Sequence, residues 1–345
     1  MPIRKQVKLE TIAASLGLSV QTVSKALRGK PGMSHETRRL VVEKARELGY
    51  LTREQLQQLS VDRIAVRPPL KRRFVLIHTT QSVNYNRLLL EGLNERIAEI
   101  GHTIDPLLIP ERLKEAELDD WIGDRELHYC EGIFIAPSLH PPATEQRLLR
   151  LPLPRILFNF PAPGAETDSV IWDVYTAVAL SVRHLAETGH RRILYVGDIK
   201  RQRGFFLRWQ AFIEAMGYYG LPFREEDHLT ASRSGTSQWA ERLADKLERL
   251  RPDAVVVGVD DDVVPAYRVI AAAGFDVPKD VSIIGMLNEQ RDGTPLFTRP
   301  QLLIRETGYR AAERMLWRIA NPTMPYEHIR IQGPLFVGHT TRARD

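Results

Sequence analysis

The sequence predicts an α/β protein. It should open with a three-helix helix-turn-helix headpiece and continue into a two-lobed core of parallel sheets with flanking helices. Three observations carry that expectation. Residues 9–50 hold three amphipathic stripes separated by turn and cap residues; from Phe74 onward, short apolar runs alternate with helical stretches; and one helix ending occurs twice, at 97–102 and 185–190. The implied boundaries are 1–59 for the headpiece and the short helix after it, 60–73 for a linker, and 74–345 for the core.

In the headpiece, Leu9, Ile12, Ala13 and Leu16 fall at i, i+3, i+4 and i+7, the buried stripe of a first helix. Gly17 supplies a sharp turn, and Ser19 can cap a second helix by accepting a hydrogen bond from its unpaired N–H groups. Val23, Ala26 and Leu27 point to one side of that helix, whereas Gln21, Lys25 and Arg28 point to the other. Ser34 starts a third helix with Val41, Ala45 and Leu48 inward and Gly49 as its stop. An outward Gln pairs in bidentate fashion with adenine, and Lys or Arg with guanine, in a major groove that admits one helix. Ser19, Thr22 and Ser24 are short donors suited to phosphates, which set register without reading sequence. By pattern alone, the same stretch also fits an ordinary three-helix corner with a solvated polar face.

Charge distribution adds a second observation. Of 48 Lys+Arg and 43 Asp+Glu, residues 1–73 hold 16 and 6, which leaves 32 and 37 for the rest. A basic head on a mildly acidic body is the footprint of a nucleic-acid-binding domain joined to one with another task. A basic flexible tail would show the same imbalance without three apolar stripes.

The stretch Leu9–Tyr50 resembles the headpiece of the lactose/galactose-repressor (LacI/GalR) family. The resemblance rests on Ile12-Ala13, Gly17, Ser19, Thr22-Val23-Ser24, Leu27, Ser34, Thr37-Arg38 and Leu48-Gly49-Tyr50 in type and spacing. It implies that Val20, Gln21 and Lys25 touch bases, with Ser19, Thr22, Ser24 and Arg28 completing the DNA face. Lys8 stands where the family often has a better helix cap. Residues 52–59 (TREQLQQL) match the family's hinge, which folds on the operator and inserts a leucine into the minor groove; Leu59 is the wedge that the resemblance implies. Arg53 and Leu56 depart from the hinge pattern. The linker SVDRIAVRPPLKRR, with Pro68-Pro69 and Lys71-Arg72-Arg73, is long for the family and reads equally as a spacer without base contacts.

The core's apolar runs are 74–78, 104–109, 132–136, 155–160, 193–197, 254–259 and 281–285, with helical periodicity between most of them, as over Leu88–Ile100, Ala177–Thr188 and Ala266–Ala273. Such alternation argues for parallel sheets covered by helices. In the echoed endings IAEIGH and LAETGH, Gly101 and Gly189 suit a left-handed cap, which fits two similar lobes. This pattern is similar to the periplasmic-binding-protein-like core of the same family. There the chain crosses between lobes three times, which here implies crossings near Val174, Asn288 and Asn321. The resemblance also implies an effector cleft containing Asp173, Arg208 and Asp260. Each by itself reads better as a surface ion-pair residue, but together they favour a cleft at the carboxyl ends of parallel strands, where an Arg fork and carboxylates share sugar hydroxyls. Trp172, Phe206 and Trp209 lie beside these positions, either as flat faces for a sugar ring or as core and rim aromatics. Asn288 and Gly338-His339-Thr340-Thr341 depart from the family pattern and leave the effector's identity open.

Other classes find little support. Neither a nucleotide fingerprint nor a phosphate loop, nucleophile elbow or His-Glu-x-x-His zinc motif occurs. Within Asp260-Asp261-Asp262 the last two acids suit the first turn of a helix better than a metal cluster. Cys130 is the only cysteine, excluding an intrachain disulfide and any multi-cysteine metal site. No apolar run approaches a transmembrane helix, and the N-terminus lacks a signal-peptide core. The expectation is therefore a cytoplasmic, sequence-specific transcriptional regulator, a repressor by the resemblance, with neither cofactor nor metal. It should bind a pseudo-palindromic operator as a homodimer, because one recognition helix reads too few base pairs for selectivity. Its operator affinity would answer to a sugar-like effector. A sugar-binding receptor would need export and no headpiece; a carbohydrate-active enzyme would need a catalytic constellation.

Overall fold

The computed structural model describes residues 7–28, 32–50, 72–110, 113–137, 142–231 and 235–344. The chain forms two compact units, Met1–Val170 with Gly308–Ile329 and Ile171–Thr307 with Arg330–Asp345.

The first unit begins with helices α1 (Leu9–Leu16), α2 (Val20–Leu27) and α3 (His35–Glu47). The three expected stripes meet in one small core of Ile12, Ala13, Val23, Ala26, Val41 and Ala45, rimmed by Leu9, Leu16, Leu27 and Leu48. With so few large side chains, the core depends on each: truncating Ile12 to Ala would cost about 2–5 kcal/mol. Gly17 adopts φ +64°, a conformation that a side chain disfavours, and so turns the chain between α1 and α2. Lys8 occupies the N-cap of α1 without a side-chain cap, whereas Ser34 caps α3 by accepting from Thr37 N at 3.1 Å.

The same unit contains the sheet strands β1 (Arg73–His78), β2 (Thr103–Leu108), β3 (Gly132–Ile135), β4 (Arg155–Leu157) and β5 (Asp168–Trp172), with α4 (Val83–Glu99), α5 (Leu118–Asp124) and α6 (Pro142–Leu149) between them. Neighbouring strands run parallel in the order β5-β4-β3-β1-β2. Pro106 is tolerated because β2 lies at the sheet edge, where a missing N–H breaks no ladder. Cys130, just before β3, packs into the core as a small apolar residue, and burial pushes its thiol up to about 11.

The second unit contains α7 (Val174–Glu187), β6 (Ile193–Val196), α8 (Arg203–Tyr218), α9 (Ser237–Leu250), β7 (Ala254–Val257), α10 (Asp260–Ala272) and β8 (Ser282–Gly285). Strands β6, β7 and β8 pair in parallel and are buried throughout, as expected for a sheet covered on both faces. Bridges Val196–Leu229 and Ile284–Thr298 extend both edges. Beyond them, β9 (Arg299–Pro300) pairs antiparallel with β11 (Leu335–Phe336).

The echoed helix endings form the same cap. At the end of α4, Gly101 N donates to Ala98 O (2.9 Å) and His102 N to Ile97 O (3.0 Å), with Gly101 at φ +78°. At the end of α7, Gly189 N donates to Ala186 O (3.2 Å) and His190 N to Leu185 O (2.9 Å), with Gly189 at φ +87°. Both are Schellman endings, which satisfy the last carbonyls of a helix.

One crossing lies close to the expected position near 174, whereas the other two differ from those expected near 288 and 321. The three fall at 170/171, 307/308 and 329/330. Each lies inside a regular element: β5, α11 (Ile304–Ala320) and β10 (His328–Ile331). The chain therefore passes between units without breaking a strand or helix. Strand β5 carries no apolar-run signal, since it opens on Asp168, a fully buried carboxylate. Asp168 Oδ1 accepts from Arg314 Nη2 (2.7 Å) and Oδ2 from Arg318 Nε (2.5 Å), while Glu327 N adds a backbone donor at 2.8 Å. These bonds hold its carboxyl below the usual carboxylate range against the opposing effect of burial.

Candidate functional site

The DNA-facing candidates converge on α2. Ser19 is its N-cap: Oγ accepts from Thr22 N at 3.0 Å and lies 2.8 Å from Thr22 Oγ1. Both hydroxyls thereby fix the start of the helix before any phosphate is met. Val23 and Ala26 lock the inner face, and this leaves Val20, Gln21, Lys25 and Arg28 exposed outside. Arg28 folds back along the helix, donating to Ser24 Oγ at 2.5 Å and to Ser24 O at 3.2 Å. Thr22 and Ser24 are half-buried. Val20, Gln21 and Lys25 therefore present an apolar contact, an amide and an ammonium on one rigid helix, the side-chain types that meet base edges. Leu59 and most of the 60–73 linker lie outside the described residues.

The third helix of the headpiece rests on the lobe within the same unit. Arg46 donates to His128 O (3.2 Å) and Cys130 O (2.7 Å), and burial lowers the pKa of its guanidinium. His35 Nε2 lies 3.0 Å from Glu126 Oε1, and Tyr129 Oη donates to His35 O at 2.8 Å. The surface of α2 described above is not part of this contact set.

The effector candidates all fall in the second unit, Arg208 and Asp260 near the carboxyl end of its strand β7 and Asp173 just after β5. Asp173 follows β5 and caps α7: Oδ1 accepts from Tyr175 N (3.1 Å) and Thr176 N (3.0 Å), and Oδ2 accepts from Thr176 Oγ1 (2.7 Å). Arg208, on α8, is only 9% exposed and donates to Gly258 O, just beyond β7. Its guanidinium lies 4.8 Å from the Trp172 ring centre and 4.7 Å from that of Phe205. A planar cation between aromatic faces is held by cation–π attraction and stacking that Lys cannot reproduce.

Asp260 opens α10 just past β7. Its Oδ1 accepts from Asn288 N (2.8 Å) and its Oδ2 from Arg291 Nη2 (2.9 Å). Burial raises its pKa, and the Asn288 and Arg291 contacts oppose that shift. Asp260, Asp261 and Asp262 all lie in the first turn of α10, one residue more than expected.

The structure thus brings Trp172 onto Arg208, and places Arg208 and Asp260 on the same strand end. It does not bring Trp209 to that face. Trp209 is buried against Tyr195, Phe212 and Phe223, with ring centres 5.1–5.7 Å away, because one helical step turns it from Arg208 toward the sheet. It is a core residue, a correction to the sugar-facing option. Phe206 remains exposed on the first turns of α8. Phe205 and Arg291 were missed: Phe205 reads as an ordinary core aromatic, and Arg291 lies in a loop without periodicity. Among the described residues, no helix is long and apolar enough to cross a membrane.

Comparison with known proteins agrees with this geometry. Residues 182–341 match the periplasmic binding protein-like domain family. The chain is 27% identical over 351 residues to the HTH-type transcriptional regulator MalR of Streptomyces coelicolor, covering 97% of this chain and 96% of that protein. In fold it is similar to the Lac repressor dimer bound to operator and the anti-inducer ONPF, with TM-score 0.66, 20% identity and coverage of 98% of this chain and 100% of that one. It is also similar to the transcriptional regulator CelR in complex with cellobiose, with TM-score 0.64, 20% identity and coverage of 97% and 100%. Along nearly its whole length the chain is thus similar to helix-turn-helix transcriptional regulators, and its fold is that of the Lac repressor.

Proposed function

We propose that the protein is a cytoplasmic transcriptional regulator of repressor type. It binds a pseudo-palindromic operator as a homodimer through α2, and a sugar-like effector held by the second unit sets its operator affinity. The proposal divides the chain into headpiece with hinge (1–59), linker (60–73) and effector-binding core (74–345). The observation that carries the DNA reading is the capped α2 with Val20, Gln21 and Lys25 exposed together over a closed core. The Lac repressor similarity, to a structure bound to operator, supports the same reading. Effector binding is supported by the Arg208–Trp172 stack beside Asp260 and by the cellobiose in the CelR complex. The relatives are named as transcriptional regulators, and this reading contains no catalytic step.

The test is operator binding by Gln21→Ala and Lys25→Ala. Loss of a base contact costs about 1–3 kcal/mol on the specific site and leaves random-sequence DNA little affected. Equal losses on both DNAs would assign these side chains to phosphates and overturn the recognition-helix assignment.

A further inference from the structure

The second unit has a cavity at the opposite end of its sheet from Arg208 and Asp260, where β6 begins. It encloses about 230 Å³ between the start of β6, the 222–228 loop and the end of α9. Its walls include Leu194, Phe223 and Leu250, and its polar groups are Arg192, Arg224, Asp227 and His228. For scale, an apolar cavity of roughly 150 Å³ holds benzene. The Phe223 ring is stacked on His228, with centres 5.0 Å apart and planes at 24°, so two aromatic side chains line one wall.

The charge at its lip distinguishes this cavity from a packing fault. Arg192 and Arg224 are both exposed at its edge, while the acid Asp227 is engaged by Arg249 at 3.3 Å. The lip therefore carries an excess of positive charge. His228 is only 7% exposed and accepts a hydrogen bond from Tyr195 N through Nδ1 at 3.0 Å. That acceptor role places the neutral ring's proton on Nε2, a buried atom without a hydrogen-bond partner. That nitrogen is closed off within the wall, so a ligand meets the rings and the lip arginines rather than His228 Nε2.

We propose that this cavity is a second ligand site, separate from the effector site, and that it takes small aromatic carboxylates. The flat apolar body packs against Leu194, Leu250 and Phe223, and the carboxylate meets the Arg192 and Arg224 guanidiniums at the lip.

The experiment is isothermal titration of the full chain with 2-naphthoate and with its neutral analogue 2-naphthalenemethanol. The expected result is one saturable naphthoate site per chain, with the alcohol about tenfold weaker, as for loss of a charge-assisted hydrogen bond. Arg192→Gln and Arg224→Gln should each weaken naphthoate about tenfold and leave the alcohol unchanged, because both act through the carboxylate. Leu250→Trp, which fills the cavity, should abolish binding of both. Should Leu250→Trp lower the melting temperature, the two exposed Arg variants decide the matter. Absence of saturable heat, or naphthoate affinity unaltered in both Arg variants, overturns the proposal. Neither result bears on operator binding by α2, so the two readings fail independently.

Discussion

At the residue scale, Arg208 shows how one side chain joins structure to ligand chemistry. Its fork reaches Gly258 O while its guanidinium lies over the Trp172 and Phe205 rings. Arg208→Lys keeps the charge and loses both planar features, so effector should no longer change operator affinity, whereas effector-free operator binding persists. Coupling of this kind is typically about 1–3 kcal/mol. Operator titrations with and without effector, on wild type and variant, read it directly; an unchanged effector response would make Arg208 a purely structural residue. Asp168 gives the opposite case, a charge with no exposure at all. Asp168→Asn strands Arg314 and Arg318 in the interior and should cost about 3–5 kcal/mol, measurable by urea unfolding. A loss below 1 kcal/mol would mean that the two guanidiniums find other acceptors.

At the scale of elements, α3 serves two neighbours. One face closes the headpiece core through Val41 and Ala45, and Arg46 reaches the 128–130 carbonyls of the adjacent lobe. Arg46→Ala removes the donor from two carbonyls without touching the headpiece core. Hydrogen exchange should rise across the 126–131 turn while the protected amides of α1 and α2 stay as they were. Faster exchange throughout α1 and α2 would show instead that Arg46 stabilises the headpiece itself.

For the whole molecule, buried histidines set the response to acid. His102 in the first unit and His228 in the second are both depressed to about 4, in each case chiefly by burial. Burial likewise lowers His190, whose Nε2 lies 2.8 Å from Ser282 Oγ. Unfolded, each ring takes a proton near pH 6.5, whereas the folded His102 and His228 rings stay neutral down to about 4. Between those values the unfolded chain binds more protons, so stability is intact above pH 6.5 and falls as the pH drops toward 4. His228 alone accounts for up to about 3 kcal/mol of that loss. Melting temperatures from pH 7.5 to 4.5 should fall accordingly, with a shallower slope for His228→Gln. A flat profile would place protonated histidines in the folded state.

Local chemistry determined by itself whatever depends on near neighbours along the chain. The headpiece stripes, the Ser19 and Ser34 caps and the matched Gly101 and Gly189 endings all rest on residues within about one or two helical turns, so periodicity and cap residues are enough to specify them. The central strands were legible for a similar reason, since a doubly covered strand is apolar along its whole length. Strand β5 was not, because Asp168 is made tolerable by Arg314 and Arg318, 146 and 150 positions away. Two of the three crossings carried over from the resemblance were misplaced, and all three lie within continuous elements that carry no local mark of a boundary. Sequence resemblance put Arg208 and Asp260 among the candidates, but only the tertiary structure supplied Phe205 and Arg291 as their partners and turned Trp209 into the core. Side-chain direction and long-range pairing depend on how elements pack, and no local pattern encodes that.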